Sequence, residues 1–514
     1  MADTAIKTEE EKKEYFDAPE VLDMKVQQLA EWVRESQNMC VFTGAGISTS
    51  AGIPDYRSGY GTVLETGPGC WEKAAFKNKY KEDMKKAGVP LPNAYRVPFN
   101  TTIQQARPTR THMAMVELQN RGILKGLVSQ NIDGLHRKSG INPEILADLH
   151  GNTNLELCLK CGREHMRDFR VRTAQKAKEH RTGRICDTPG CKGELKDTII
   201  NFGEHLVPEI LQKGFALHAV SDLSIAMGSS MRVSPACQMP LGTKLNGGKF
   251  VMINLQKTQI DAAADLVIHE RVDKVIELLM DKLEMPIPDF RRSYRLKVSL
   301  SQDKRQVLFT GVDSNGACYT LFKSLRVTGL APAAATFPAR GQSVQPFTQA
   351  ISNQRVTEIT AQCTFQGHYN EPVLTLKVPM DVLRSEGALE FDMVYHVASG
   401  RFERVAMLSS ATRQDLGAAQ FSTVAAAQPQ AQRGGSPAAR PTPASRAPAP
   451  KGTAANRGKS TNVTTVKKAR PAFGAALGAG RPRAAQQEFQ AAAAQIAALA
   501  DDYEGAAASA VPDQ

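Results

Sequence analysis

Gln130, Asn131 and Asp133 lie at the carboxyl end of 124–129, a candidate buried strand. A carboxamide and a carboxylate at a strand's carboxyl end can hydrogen-bond the carboxamide of a ligand. A second set is built on glycine. Residues 39–42 form a short apolar run fit for a buried parallel strand, and Thr43-Gly44-Ala45-Gly46 breaks it before Ile47-Ser48-Thr49-Ser50 can start a helix. Small residues there let the backbone approach a pyrophosphate, and unpaired N–H groups at a helix start can hold one. The spacing departs from the usual dinucleotide fingerprint, because Gly46 is followed by Gly52 and not by a glycine three places on. Gly52-Ile-Pro-Asp55-Tyr56-Arg57 then makes a rigid turn that returns a cation to the same place. His150 closes another apolar segment and is followed by Gly151-Asn152; on residue type alone, a lone histidine is more often structural than catalytic. Four cysteines complete the inventory. Cys158-x2-Cys161 and Cys186-x4-Cys191 stand 24 residues apart, and their four thiolates satisfy tetrahedral Zn²⁺ with no position left for water, which makes a structural site.

The elements that must position these groups are legible as pattern. Residues 17–36 have helical spacing and lead into the first strand, and 108–118 form a helix in which His112 is a structural, hydrogen-bonded histidine. Apolar strands at 221–231 and 249–254 end in Gly228-Ser229-Ser230 and Asn254-Leu255-Gln256, polar groups where an adenosine ribose can sit. A helix over 273–283 closes the unit. The expected fold is α/β: a doubly wound, Rossmann-like parallel sheet with an inserted small zinc-binding domain. From 291 the pattern changes to alternating apolar and polar residues with turns such as Asp313-Ser-Asn-Gly316, which predicts a β-rich, antiparallel domain without a catalytic constellation. The predicted organisation is a flexible N-terminus (1–17), a main domain (18–288) with the zinc module at about 151–205, the β-rich domain (291–424), and a low-complexity basic tail (425–514) with a short C-terminal helix over 486–500. The stretch 58–107 carries a lysine-rich, then proline-rich insertion, read as a solvated lid.

Charge is placed unevenly. Residues 425–487 hold eleven Lys or Arg and no acid, so most of the formal net charge of +12 lies in that window. This suits an anionic partner such as nucleic acid, or a merely solvated, disordered tail; both readings stand. Residues 1–14 are polar and acidic, so no secretory signal is expected, and no apolar run reaches the ~18 residues of a membrane span. Paired cysteines are therefore read against a reducing compartment, as metal ligands and not as disulfides.

Gly44-Ala-Gly-Ile-Ser48 with Gly52-Ile-Pro-Asp-Tyr-Arg57 resembles the cofactor-binding segment of the sirtuins, the NAD-dependent protein lysine deacylases. Gln130-Asn-Ile-Asp-Gly-Leu-His136, His150-Gly-Asn152, and Gly228-Ser-Ser230 with Asn254-Leu-Gln256 match further blocks in order. The resemblance covers about residues 20–288 and is nearest to the chromatin-associated branch that includes sirtuin six and sirtuin seven. It implies that NAD is held by Gly44, Ala45, Gly46, Ile47, Ser48, Thr49, Asp55, Tyr56, Arg57, Trp71, Gln130, Asn131, Asp133, Gly228, Ser229, Ser230, Asn254, Leu255, Gln256 and Val272. By the same resemblance Asn131 and Asp133 hold the nicotinamide, His150 is the general base, and 202–204 pairs with the substrate peptide. The implied activity is NAD-dependent deacetylation of protein lysine, on histone tails in the nucleus, yielding nicotinamide and O-acetyl-ADP-ribose. Long-chain deacylation and mono-ADP-ribosyl transfer occur among relatives of this branch. A chromatin- or nucleic-acid-binding module with weak catalysis is the reading from a different class.

Overall fold

Met39–Thr43 (β1) is buried at every position, and its alternation explains the layers. Met39 and Val41 point to one side, into a cluster with Leu29 and Val33 of helix Pro19–Glu35, Met115 of helix Arg110–Asn120, and Ile276 and Leu279 of helix Val272–Lys282. Cys40 and Phe42 point to the other, against Leu211 of helix Pro208–Ala219 and Met239 and Leu241 of helix Met239–Leu245. A strand covered on both faces cannot alternate apolar and polar residues, hence the continuous apolar run. The computed structural model describes residues 8–76, 86, 103–408 with short breaks (175, 177, 187, 189, 313–318, 320, 331–334, 339–345 and 352–354), and 413–415. The lysine-rich insert from 77 to 102, apart from 86, and the basic tail with its expected helix lie outside the described residues.

β1 pairs in parallel with β2 (Leu124–Ser129) on one side, and β3 (Leu146–Asp148) extends the sheet beyond it. Between β3 and the return to the sheet lies a separate antiparallel unit of four strands, β4 (Leu155–Cys158), β5 (Glu164–Met166), β6 (Arg181–Ile185) and β7 (Glu194–Asp197), in the order β5-β4-β7-β6. The chain then forms β8 (Leu223–Met227), β9 (Lys249–Ile253) and β10 (Leu266–Ile268), and the six-stranded sheet reads β10-β9-β8-β1-β2-β3. The chain winds outward from β1 in both directions, so the switch point lies at the carboxyl ends of β1, β2 and β8, where an open α/β sheet leaves a crevice. The stretch 198–204 forms no strand: β7 ends at Asp197, no strand among the described residues pairs with it, and Ile200 N donates instead to the His150 carbonyl at 3.0 Å.

Beyond 290 the predicted antiparallel β structure is present. β11 (Arg291–Leu300), β12 (Gln306–Val312), β13 (Phe322–Thr328), β14 (Ala335–Pro338), β15 (Phe347–Ala350), β16 (Glu358–Phe365), β17 (Leu374–Pro379), β18 (Ala388–His396), β19 (Arg401–Leu408) and β20 (Arg413–Asp415) form two sheets, β15-β12-β11-β18-β19-β20 and β14-β13-β16-β17. Val298, Phe309 and Phe391 of the first meet Leu325, Ile359 and Leu376 of the second in one core, so the unit is a sandwich. It is docked, not tethered. Arg292 of β11 reaches Asp168 after β5 at 3.4 Å, Tyr319 donates to the same carboxylate at 3.3 Å, and Tyr369 donates to the Ala106 carbonyl at 3.0 Å. Met113 of the main domain packs into the sandwich core.

Candidate active site

The crevice at the switch point is a cleft of about 1070 Å³. That is just above the ~300–1,000 Å³ usual for small-molecule sites. Its floor is the strand-to-turn transition after β1, where Ala45–Ala51 forms a 3-10 turn. Glycine is required there by crowding: a Cβ on Gly46 would lie 2.7 Å from the Gly228 Cα, and Gly46 N already donates to the Gly228 carbonyl at 2.8 Å. Gly228 itself has φ +59°, a conformation glycine adopts at little cost.

His150 lines the cleft. Its Nδ1 lies 2.8 Å from the Gln130 carbonyl, and because a carbonyl oxygen can only accept, the proton sits on Nδ1 and the lone pair on Nε2. Burial lowers the imidazole's pKa below its ordinary value, with the Gln130 carbonyl opposing. The neutral form is therefore the resting one. Gln130 is fixed in turn by Ser229, whose hydroxyl donates to Oε1 at 2.9 Å, and the buried Nε2 is left without a partner. Asn131 donates through Nδ2 to the Gly44 carbonyl (3.0 Å) and to Ser48 Oγ (3.3 Å), and Ser48 donates to Asp133 at 2.7 Å. The second oxygen of Asp133 caps the short helix Leu135–Ser139 by accepting from Leu135 N at 2.9 Å.

Ala45, Gly46, Thr49, Asp55, Tyr56, Arg57, Gln130, Asn131, His150, Gly228, Ser229, Ser230, Asn254, Leu255, Gln256 and Val272 all line this one cleft. Gly44, Ile47, Ser48, Trp71 and Asp133 do not: they stand behind its wall. Ser48 and Asp133 are buried there and act on the cleft through Asn131. Trp71 stacks under Arg57, with the guanidinium 4.5 Å from the ring centroid, and its edge meets Phe202 at 5.3 Å. Burial, and then Arg232 nearby, pull Arg57 down to about 10, still a full cation at neutral pH. An unpartnered carboxamide N–H beside His150, two arginines and a glycine-lined turn suit a ligand carrying hydroxyls and a pyrophosphate, and so fit NAD.

Cys158, Cys161, Cys186 and Cys191 bring their sulfurs within 4.8 Å of one another, with Cys158–Cys191 at 3.6 Å and Cys161–Cys186 at 3.8 Å. Zn–S bonds of ~2.3 Å in a tetrahedron require sulfurs about 3.8 Å apart. The cluster fits zinc.

The Sir2 family model matches residues 44–235. Over 290 residues the chain is 41% identical to NAD-dependent protein deacetylase SRT1 of Arabidopsis thaliana, covering 56% of this chain and 55% of that protein. With NAD-dependent protein deacetylase Sirt6 of Drosophila melanogaster it shares 38% identity over 284 residues, which cover 54% of this chain and 81% of that one. A Rhodopseudomonas palustris protein called NAD-dependent protein deacetylase is 32% identical over 255 residues, 50% of this chain and 96% of its own. The chain belongs to the Sir2 family. It spans about half the length of the first curated relatives it matches.

Some of this sirtuin's cleft lay outside the sequence reading. Arg232 is a wall residue two places beyond Ser230, and a cation so close behind a strand-end Gly-Ser-Ser was the available signal. Ile199, Leu206, Leu211, Val233 and Pro235 are apolar lining residues that no motif marked. Glu204, also on the wall, ties the cleft to the zinc module. Burial alone would raise its carboxyl, but Asn201 N at 2.7 Å and Lys178 N at 2.8 Å donate to it and pull its pKa down to about 2.

Proposed function

We propose that this sirtuin is an NAD-dependent protein lysine deacetylase acting on histones or other chromatin proteins in the nucleus, with release of nicotinamide and O-acetyl-ADP-ribose. The observation that carries the reading is the neutral His150, held by Gln130 on the wall of a cleft that also gathers Asn131, Arg57 and Gln256. Bound NAD would supply an electrophilic ribose carbon, because its cationic nicotinamide ring leaves as a neutral molecule with the electron pair of the glycosidic bond. The chain's contribution is positioning and one matched base. Asn131, oriented through Ser48 and Asp133, offers its Oδ1 to a carboxamide. His150 Nε2 accepts a proton from a hydroxyl, and the Gln130 carbonyl stabilises the imidazolium through Nδ1–H. Arg57, backed by Trp71, and Arg232 place positive charge beside a pyrophosphate. Residues 198–204 pair with no strand among the described residues; Ile199 N, Ile200 N, Asn201 N and Glu204 N are satisfied within the chain, and the remaining backbone groups of the segment are those an extended acyl-lysine peptide can pair with.

Four thiolates leave zinc no open position, so its role is to hold β4–β7 and, through Lys178 and Glu204, the peptide-facing loop. The apolar residues among the cleft's lining favour a second reading, in which longer acyl chains are removed. Nicotinamide release measured with acetyl, myristoyl and unmodified histone-tail peptides separates the two. Under the main reading, release is fastest with the acetyl peptide, and His150→Ala lowers it by about 10²–10⁴-fold while NAD binding persists. Full activity in His150→Ala excludes both.

A further inference from the structure

The segment ahead of helix Pro19–Glu35 lies against the end of the cleft formed by Leu255 and Gln256. Tyr15 N donates to the Leu255 carbonyl at 2.9 Å, and Glu14 forms an antiparallel bridge with Gln256. The Glu14 carboxylate collects three donors: Thr62 Oγ1 at 2.6 Å, Val63 N at 2.9 Å and Gln256 Nε2 at 3.4 Å. One turn earlier, Glu11 accepts from Arg232 at 2.6 Å. The segment therefore joins two walls that have no covalent proximity: Gln256 after β9, and the loop around 62–63 that runs on from Arg57.

We propose that Glu14 is a positioning residue for the dinucleotide, a latch that fixes Gln256 and the 62–63 loop in the geometry that encloses NAD. The proposal rests on reading the cleft as the NAD site. The chemistry explains the residue type. In this arrangement all three partners donate, and a carboxylate accepts from all of them at once; a carboxamide could do as well only if its oxygen took Val63 N–H and Thr62 or Gln256 turned an oxygen toward its NH₂. Glu14 lies outside the motifs of the sequence reading, and its partners come from opposite ends of the main domain. Nothing in the contacts of Glu14 reaches the peptide-facing loop 198–204, so its effect belongs to one substrate and not the other.

The test is steady-state kinetics on the full chain, with KM determined separately for NAD and for an acetyl-lysine peptide, beside calorimetric NAD binding. Glu14→Ala is expected to raise the KM and Kd for NAD about tenfold, the loss of charge-assisted hydrogen bonds, with peptide KM and kcat at saturating NAD within about twofold of wild type. Glu14→Gln should fall between the two. Thr62→Val, which removes one donor and leaves the segment itself untouched, should raise the NAD constants in the same direction. An unchanged NAD constant, or equal rises in both KM values, overturns the proposal. A wild type that binds NAD without deacylating defeats the deacetylase reading while the Kd values of the Glu14 variants still decide the latch. A wild type that does not bind NAD defeats both.

Discussion

His150 is useful as a base because two local effects act together. Burial disfavours the charged ring, and the Gln130 carbonyl fixes the proton on Nδ1, so the lone pair at Nε2 is available without a prior ionisation. The sign of the shift sets the pH dependence. A histidine whose pKa is lowered from 6.5 is already deprotonated at neutral pH, so kcat/KM should be flat through pH 7 and fall only on the acid side of 6.5, about tenfold per pH unit at the limit. A pH profile with a histidine-dependent break above 6.5 would contradict this. Residue chemistry alone could not have picked His150 out. His112 and His136 are also buried, each brought by burial to about 3, and they serve as a helix cap and a hydrogen-bond partner of Thr43. What distinguishes His150 is its place on the cleft wall, which neither His112 nor His136 lines, with its ring held by Gln130 once β2 and the turn after β3 are adjacent.

At the scale of elements, the parallel strands were readable because burial on both faces forces continuous apolar runs, and glycine marked where the backbone must pass close to itself. The stretch after β7 shows where local pattern stops being enough. Thr198, Ile199 and Ile200 have strand-forming side chains, but a strand is made by its neighbour, and none is supplied among the described residues. The zinc module shows the same dependence on something outside local propensity. Its buried core is small, with Leu195 grouped with three of the cysteines, and the metal is what closes it. Chelation should therefore unfold β4–β7 specifically. Because Glu204 takes its donors from Lys178 and Asn201, the expected signature is loss of acyl-peptide affinity together with a fall in melting temperature, while NAD affinity changes less. Metal analysis of the native protein should give one zinc per chain, and Cys158→Ser should reproduce the effect of the chelator. Retention of peptide affinity in the metal-free protein would show that the loop is held by its own hydrogen bonds.

At the scale of the whole molecule, the alternation beyond 290 announced a β unit but could not say where it sits, since the contacts that place it join residues more than 100 positions apart. Asp168, just past β5, receives Arg292 and Tyr319 from the sandwich, and His368 Nε2 donates to its backbone carbonyl at 2.9 Å. These groups are largely buried, and in such surroundings removing one partner costs more than the pair contributes, because the other is stranded without water. Asp168→Ala in the full chain should therefore destabilise it by about 3–5 kcal/mol, read as a fall in the thermal denaturation midpoint. Arg292→Met in the same background should recover part of the loss, since it removes the stranded cation and keeps an apolar stem of similar length. If Asp168→Ala alone is neutral, the sandwich is a loosely attached accessory. If it is costly and Arg292→Met rescues it, the sandwich and the main domain melt as one unit, and a chain cut after 288 should lose solubility as Met113, Met166 and Ile287 come into contact with water.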